Sequence, residues 1–331
     1  MKLKFGRVLG RVGLGLGLLV VGFAGLTAVR QTRKFPVPDV AVQASSDPAI
    51  IERGRYLVQG PAHCADCHGA RAASGAPPPN TAPLSGGYQF HLPVGVFNVP
   101  NITSDAGTGI GRYSDADLAR ILRYGVRPDG TAVLPFMPFA DLADDDLTAV
   151  ISYLRTTKAV PHAVPAHELN LLGKVVRAWV VAPLAPKSPP AKQAPRGADA
   201  ENGRYLAHHV ANCVSCHTRM DLRTGELVGP LFGGGAEHPA VSGPKRTYLS
   251  PNLTPDPRWG WIEGWDEGAF AARLTSGVGR EGSPMPWAAL KGLSNDDARA
   301  IYRYLHTLPK AEGGPDPRER DPVRKVAAQS P

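Results

Sequence analysis

Cysteine is scarce in this sequence: its 331 residues include four. All four lie in two short segments, Cys64-Ala-Asp-Cys-His68 and Cys213-Val-Ser-Cys-His217, which are 149 positions apart (213 minus 64). Disulfide frameworks are typical of small secreted domains, and this chain is large. Because both pairs belong to one repeated pattern, no cysteine is left over for a separate disulfide or for a thiolate nucleophile.

Acidic residues are absent from the first 38 positions. The seven basic residues of positions 1–34 account for most of the net charge of +8, so residues 35–331 carry only +1 (8 minus 7). A basic charge confined to one end of the chain does not resemble a nucleic-acid-binding surface. We therefore expect no nucleic-acid partner.

Charge is also absent from residues 12–29, an apolar run of 18 residues with basic residues on both sides. The run is longer than a usual signal-peptide core and at the short end for a membrane span. Gly22-Phe23-Ala24 is a small-x-small cleavage site. We expect residues 1–34 to be an N-terminal membrane anchor, with a signal peptide as the alternative.

Each Cys-x-x-Cys-His segment has the spacing of a c-type haem attachment site. Each thiol adds to one vinyl group of the porphyrin, and the adjacent histidine gives the iron a proximal ligand. A zinc site needs no histidine after each pair, and a thioredoxin-like pair would lie beside a strand–helix–strand pattern, which is not seen. The pattern predicts two covalent haem c groups. Their attachment residues would be Cys64, Cys67 and His68 in one site and Cys213, Cys216 and His217 in the other.

The sixth iron ligand decides whether a haem binds small molecules or mainly carries electrons. Of the four methionines, Met1 is the initiator and Met220 lies three residues after His217, on the proximal side. Met137 and Met285 remain, 69 and 68 residues after the two proximal histidines, in proline-flanked loops. We expect both to be distal ligands, which raises the reduction potential. The alternative is that they fill gaps in the core.

The rest of the chain repeats at nearly the same spacing, which predicts a duplication. The repeated stretches are Gly-Arg-Tyr-Leu at 54–57 and 203–206, Leu84-Ser-Gly-Gly and Leu231-Phe-Gly-Gly, Pro-Asn-x-Thr at 100–103 and 251–254, and Tyr-Leu at 153–154 and 304–305. Asn101 and Asn252 occupy matching positions and would either bond the haem edge or propionates or fix a loop. Arg112, Arg120 and Arg123 are further candidates for the propionates.

The duplication predicts an all-α chain with one domain around each haem. The expected segments are an anchor at 1–34, a tether at 35–49, a first domain at 50–158, a linker at 159–198, a second domain at 199–309 and a disordered tail at 310–331. Helices are expected at 51–58, 114–124 and 144–156, and an irregular loop at 69–111. The apolar stretch 169–181 of the linker would pack against the two domains, or contact a partner subunit or the membrane surface.

Several stretches resemble the cytochrome c subunits of membrane-bound alcohol and gluconate dehydrogenases and related cytochromes that serve molybdenum hydroxylases. They are Pro100–Gly111, the Met137-Pro loop with Asp144–Leu154, Cys216-His-Thr-Arg219, and Asn252–Trp265. The resemblance implies tandem class I cytochrome c domains that relay electrons from a dehydrogenase. The better-known members carry three haem domains, and this chain has two attachment motifs.

Because c-type haem is attached outside the cytoplasmic membrane, the haem domains are expected on the periplasmic side of the bacterial cytoplasmic membrane. We predict a membrane-tethered dihaem cytochrome c that passes single electrons from a dehydrogenase to the respiratory chain, through an oxidase, quinone or soluble cytochrome. It would be an electron-transfer subunit rather than a catalyst. The alternative is a catalytic dihaem enzyme of the peroxidase or thiosulfate dehydrogenase type, with one open or exchangeable haem site.

Overall fold

The computed structural model describes residues 2–71, 77–186, 188–221 and 224–316, with the backbone alone for residues 2–10. Residues 72–76 of the expected irregular loop and 317–331 of the expected tail lie outside the described residues. The first half of the protein is defined as residues 50–158, and the second half as residues 199–309.

The helices up to the linker agree closely with the sequence pattern. They are α1 (Lys2–Arg30), α2 (Pro48–Gln59), α3 (Cys64–His68), α4 (Asp115–Tyr124), α5 (Asp144–Thr156) and α6 (Leu171–Trp179). Ser114 caps α4 in a capping box with Asp117, and Gly125 ends it in the left-handed conformation (φ 61°). Polar caps and a terminal glycine are local signals, so these helix ends were predictable.

The second half repeats this order with shorter helices. They are α7 (Ala200–Tyr205), which continues as a π-helical turn (Leu206–Val210), α8 (Cys213–Cys216), α9 (Glu267–Thr275), α10 (Trp287–Leu290) and α11 (Asn295–Leu305). α9 and α11 are capped by Asp266 and Ser294, whose side chains accept a backbone N–H of the first turn. The π-helical turn lies immediately before the second attachment motif.

The expectation of an all-α chain is incomplete, because short strands lie between the helices. They are β1 (Gln89–Leu92), β2 (Gly95–Asn98), β3 (Glu168–Leu169), β4 (Arg219–Met220), β5 (Leu227–Val228), β6 (Glu237–Pro239) and β7 (Thr247–Leu249). They pair antiparallel as β1-β2-β3, β4-β5 and β6-β7. The prediction of an irregular loop at 69–111 was therefore wrong for 89–98, where hairpin pairing satisfies backbone groups that the helices do not reach.

Two close helix crossings form the core. α2 packs against α5 and α7 packs against α11, and in each pair a glycine makes the closest contact. A Cβ on Gly54 would lie 1.9 Å from Ala149 O, and one on Gly203 would lie 1.9 Å from Ala300 O. Only glycine allows this approach. One continuous cluster of buried apolar side chains, from Leu57 to Leu305, then runs through both halves.

Two buried carboxylates join the halves by reciprocal hydrogen bonds. Tyr205 of α7 donates its hydroxyl to Asp146 of α5 at 2.9 Å, and Tyr56 of α2 donates its hydroxyl to Asp297 of α11. Both carboxylates are buried. The tyrosines occupy matching positions in the repeat, as do the aspartates, so the contact between the halves is approximately two-fold symmetric.

The charge of Asp146 is balanced within this contact. Burial by itself would raise the pKa of its carboxyl group, but Arg53 at 2.9 Å and Arg196 at 2.8 Å outweigh that effect and lower the pKa. The carboxylate therefore stays ionised at neutral pH, where it accepts the tyrosine hydroxyl. A buried ion that loses such partners destabilises the fold strongly.

α6 is the helix expected from the apolar stretch 169–181, but its protein contacts are with α1 and the first half. Trp179 stacks on Phe23 of α1, with ring centroids 5.7 Å apart. At the other end, Asn170 caps the helix and its side chain donates to Pro93 O at 2.8 Å. α6 thus connects α1 to the hairpin β1-β2.

Removing one hydroxyl tests the contact between the halves. Tyr205→Phe takes a donor from Asp146 and an acceptor from the backbone N–H of Ala143, which lies 3.2 Å from the hydroxyl. We expect the free energy of unfolding to fall by about 1.5–3 kcal/mol, measured by chemical denaturation followed by circular dichroism. Tyr302→Phe is the control, since its hydroxyl bonds Trp265 O at the exposed surface. Equal losses in the two variants would contradict the importance of the buried contact.

Candidate functional site

Both attachment motifs are short helical turns entered through a left-handed residue. α3 begins at Cys64 after His63 (φ 38°), and α8 begins at Cys213 after Asn212 (φ 50°). Positive φ is uncommon for residues other than glycine, so its occurrence at matching positions shows that the two turns are built alike. Within each turn, the cysteines three positions apart lie on the same side of the helix.

The thiols are neutral and not joined to one another. All four cysteines are free. Burial raises the pKa of Cys64 and of Cys213 to about 12, and that of Cys67 to about 11. These surroundings do not favour a thiolate nucleophile.

The imidazole of each motif histidine is oriented by a proline carbonyl. His68 Nδ1 lies 2.9 Å from Pro100 O, and His217 Nδ1 lies 3.0 Å from Pro251 O. Burial lowers the pKa of both histidines, that of His217 to about 4, so the rings are neutral at neutral pH. A carbonyl only accepts, so Nδ1 carries the hydrogen and Nε2 carries the lone pair. Both rings are therefore prepared to ligate a metal through Nε2.

The backbone carbonyl of each motif histidine is held as well. Gly86 donates its N–H to His68 O, and Gly234 donates its N–H to His217 O, both at 2.8 Å. These glycines have φ of 72° and 69°, and a Cβ on either would lie 2.5 Å from the backbone of the nearby Pro-Asn loop. Glycine is therefore required here. Residue-level reasoning found the repeated glycines but missed this role.

The match between Leu84-Ser-Gly-Gly and Leu231-Phe-Gly-Gly was wrong by one residue. Ile102 donates its N–H to Leu84 O, whereas the equivalent Leu253 donates its N–H to Phe232 O. Phe232 is thus the counterpart of Leu84, and Leu231 is half-exposed. The second half has three consecutive glycines at 233–235, where the first half has two, so the sequence permits either alignment. The hydrogen bonds decide between them.

Asn101 and Asn252 fix the loops that carry these prolines. The side-chain oxygen of each accepts the backbone N–H and the hydroxyl of the threonine two positions further on, at 2.7–2.9 Å. The side-chain nitrogen donates to Val160 O at 2.8 Å in the first half and to Ala311 O at 2.6 Å in the second. Of the two roles left open by the sequence, these contacts support loop fixing.

Hydrogen bonds and ring stacking hold the loop that carries Met137. Phe136 stacks on Phe90 of β1 with ring centroids 5.7 Å apart. Arg123, which is 3% exposed, donates to Ala140 O at 3.0 Å. Arg123 is one of the sequence candidates for the haem propionates, but its guanidinium instead positions this loop. Met137 itself is half-buried.

Different residues hold the loop that carries Met285. Met285 is half-buried and packs against the buried cluster; its N–H bonds Ser283 Oγ at 3.3 Å, and its carbonyl accepts from Trp287 N at 2.8 Å. The guanidinium of Arg273 lies 3.9 Å from the ring centre of Trp287. Met220, by contrast, is exposed in β4. Iron ligation by Met137 or Met285 stays a prediction.

The donor set of each half fits a covalent haem. Each half presents two thiols and one neutral imidazole with a defined tautomer, which is what thioether attachment and proximal ligation require. Among the described residues, no group of three or more His, Cys, Asp and Glu side chains is arranged to hold a metal ion. The described part of the chain therefore offers no ligand cluster for the zinc alternative.

Loss of the loop-fixing amide should destabilise the fold. Asn252→Ala would leave the buried backbone N–H of Thr254 without its acceptor, and we expect the free energy of unfolding to fall by about 2–3 kcal/mol. Asn295→Ala, which removes an exposed bond to Arg299, should change it by less than about 0.5 kcal/mol. Denaturant titration of both variants compares them, and similar values would argue against a loop-fixing role.

Comparison with known proteins identifies the family. The cytochrome c family model matches residues 51–158, which include the first attachment motif. A diheme cytochrome c-type protein of Cereibacter sphaeroides is 30% identical over an alignment of 325 positions, which covers 91% of this chain and 98% of that protein.

Two subunits of dehydrogenases are similar over much of the chain. The fructose dehydrogenase cytochrome subunit of Gluconobacter japonicus is 29% identical over 94% of this chain and 62% of its own length. The gluconate 2-dehydrogenase cytochrome c subunit of Pantoea cypripedii is 29% identical over 78% of this chain and 60% of its own length. The chain thus spans about three fifths of these two relatives. From the family match and the nearly full-length diheme relative, the chain belongs to the cytochrome c family, which implies covalently bound haem c.

Proposed function

We propose that the chain is a dihaem electron-transfer protein with one haem c in each half. The first haem would be held by Cys64, Cys67, His68 and Met137, and the second by Cys213, Cys216, His217 and Met285. The observation that carries this proposal is the duplicated surroundings of the motif histidines. In both halves the ring bonds a proline carbonyl, and the backbone carbonyl bonds a glycine N–H.

For the domain layout we propose tandem class I cytochrome c domains at 50–158 and 199–309. The remaining segments would be the anchor at 1–34, the tether at 35–49, the linker at 159–198 and the tail at 310–331. The repeated helix crossings at Gly54 and Gly203 support two equivalent units. The reciprocal tyrosine–aspartate contacts then keep the two attachment sites in one relative position.

The protein would tune each haem through its axial ligands. When bound, the haem supplies the one-electron chemistry of its iron. The proline carbonyls fix the ring orientation of His68 and His217 and increase the basicity of Nε2. The thioethers of Met137 and Met285 would favour the reduced state and occupy the site where a small molecule could otherwise bind. The chain would therefore relay electrons without binding an organic substrate.

For the partners, we propose a dehydrogenase as the electron donor and an oxidase, quinone or soluble cytochrome as the acceptor. Relatives named as cytochrome subunits of fructose and gluconate dehydrogenases support the choice of donor. Residues 11–30 of α1 form a helix long and apolar enough to cross a membrane, and little of it is buried against the protein. This supports a tethered protein, whose haems would lie on the periplasmic side of the cytoplasmic membrane.

Optical spectra of the purified protein, oxidised and reduced, with and without carbon monoxide, test the function. We expect two haems per chain and no change on adding carbon monoxide, because methionine occupies both distal positions. A spectral shift in half of the haem would mean that one site is open. That result would contradict a simple relay and favour the catalytic dihaem alternative.

Removal of each proposed distal ligand gives a sharper result. Met137→Ala and Met285→Ala should each allow one haem to bind carbon monoxide and lower its reduction potential by on the order of 0.1 V, within the range that axial ligands control. Redox titration and carbon monoxide binding measure both effects. Met220→Ala is the matched control and should leave both unchanged, because Met220 is 42% exposed in β4. If Met137→Ala and Met285→Ala behaved like this control, the ligand assignment would be wrong.

A further inference from the structure

Helix α6 leaves both of its leucines exposed and buries its small residues. Gly173 and Ala178 face the protein, and a Cβ on Gly173 would lie 1.9 Å from Val94 O. Leu171 and Leu172 are 82% and 55% exposed, and Val180, just after the helix, is 67% exposed. A surface helix in water has the opposite arrangement. The outer face of α6 is therefore suited to an apolar environment.

This face is continuous with the apolar surface of α1. Trp179 stacks on Phe23, and its indole N–H donates to Thr27 Oγ1 at 3.1 Å. Arg30 donates to Ala178 O at 3.2 Å from the last turn of α1. These contacts hold α6 beside the last two turns of α1, the proposed membrane helix.

The charges around α6 indicate the kind of partner. The helix contains Lys174 and Arg177 and no acidic residue. The guanidinium of Arg30 lies 4.3 Å from the ring centre of Trp179, and Arg33 follows three residues after the end of α1. Tryptophan and basic side chains are enriched where proteins meet lipid headgroups. A basic helix with an exposed apolar face is typical of interfacial membrane helices.

We propose that α6 lies in the surface of an anionic phospholipid bilayer, as a second membrane contact beside α1. Leu171, Leu172 and Val180 would enter the boundary between headgroups and acyl chains, with Lys174 and Arg177 among the phosphates. The inference rests on the proposed membrane anchoring. It adds which side of the first half faces the membrane. Because β3, just before α6, pairs with β2 at Gly95 and Val96, the first half is held against the membrane surface.

Photocrosslinking from within the helix tests this contact. The full-length haem-loaded protein, carrying p-benzoylphenylalanine in place of Leu172, is reconstituted in vesicles of phosphatidylcholine and phosphatidylglycerol and illuminated. Mass spectrometry then identifies the adducts. Val278 is the matched control, since it is 67% exposed and lies in the second half. A third variant with the same replacement at Leu19 reports separately on insertion of α1.

We expect a phospholipid adduct at position 172 in at least tenfold excess over position 278. An adduct with a second polypeptide at position 172, or lipid adducts no more abundant than at position 278, would overturn the proposal. A lipid adduct at position 19 without one at 172 would support membrane insertion of α1 and contradict the surface contact of α6. A lipid adduct at 172 without one at 19 would support the surface contact and contradict membrane insertion of α1.

Discussion

The reciprocal tyrosine–aspartate contact sets the relation between the two halves of this protein. Each tyrosine lies in the helix that leads to an attachment motif, and each aspartate lies in the first turn of the last helix of the other half. The contact therefore joins the helix before each attachment motif, α2 or α7, to the opposite half. Separating the halves would take the tyrosine hydroxyl away from each of these carboxylates. The two attachment motifs consequently belong to one packed unit.

The surroundings of the two sites divide into a common part and a variable part. The motif histidine, the proline carbonyl and the glycine N–H have nearly the same distances in both halves. The methionine loops differ, because Phe136 and Arg123 hold one loop, whereas Trp287 and Arg273 hold the other. In the proposed dihaem protein, a difference in reduction potential between the haems would therefore arise mainly from these two loops.

The first half also carries the contacts to α1. Phe35 donates its N–H to Gly130 O at 2.8 Å just after α1 ends, and Trp179 of α6 bonds Thr27 within it. The first half is thus connected to α1 in two ways, through the segment that follows α1 at Phe35 and, by way of the β2-β3 pairing, through α6 of the linker. If α1 anchors the proposed relay, the first attachment motif would lie in the half that is connected to the anchor.

The sequence by itself determined the features that depend on neighbouring residues: the attachment motifs, the capped helix α4, the apolar face of α5, the apolar run of α1 and the duplication. The small sheets, the partners of Asn101 and Asn252, and the contact between the halves were decided only by the tertiary structure. Tyr56 and Asp297 are 241 positions apart. Each of them has an ordinary helical context, so no local pattern distinguishes them from surface residues. Their pairing follows from how α2 of the first half packs against the start of α11 in the second half, where the hydroxyl of Tyr56 also accepts the N–H of Ser294.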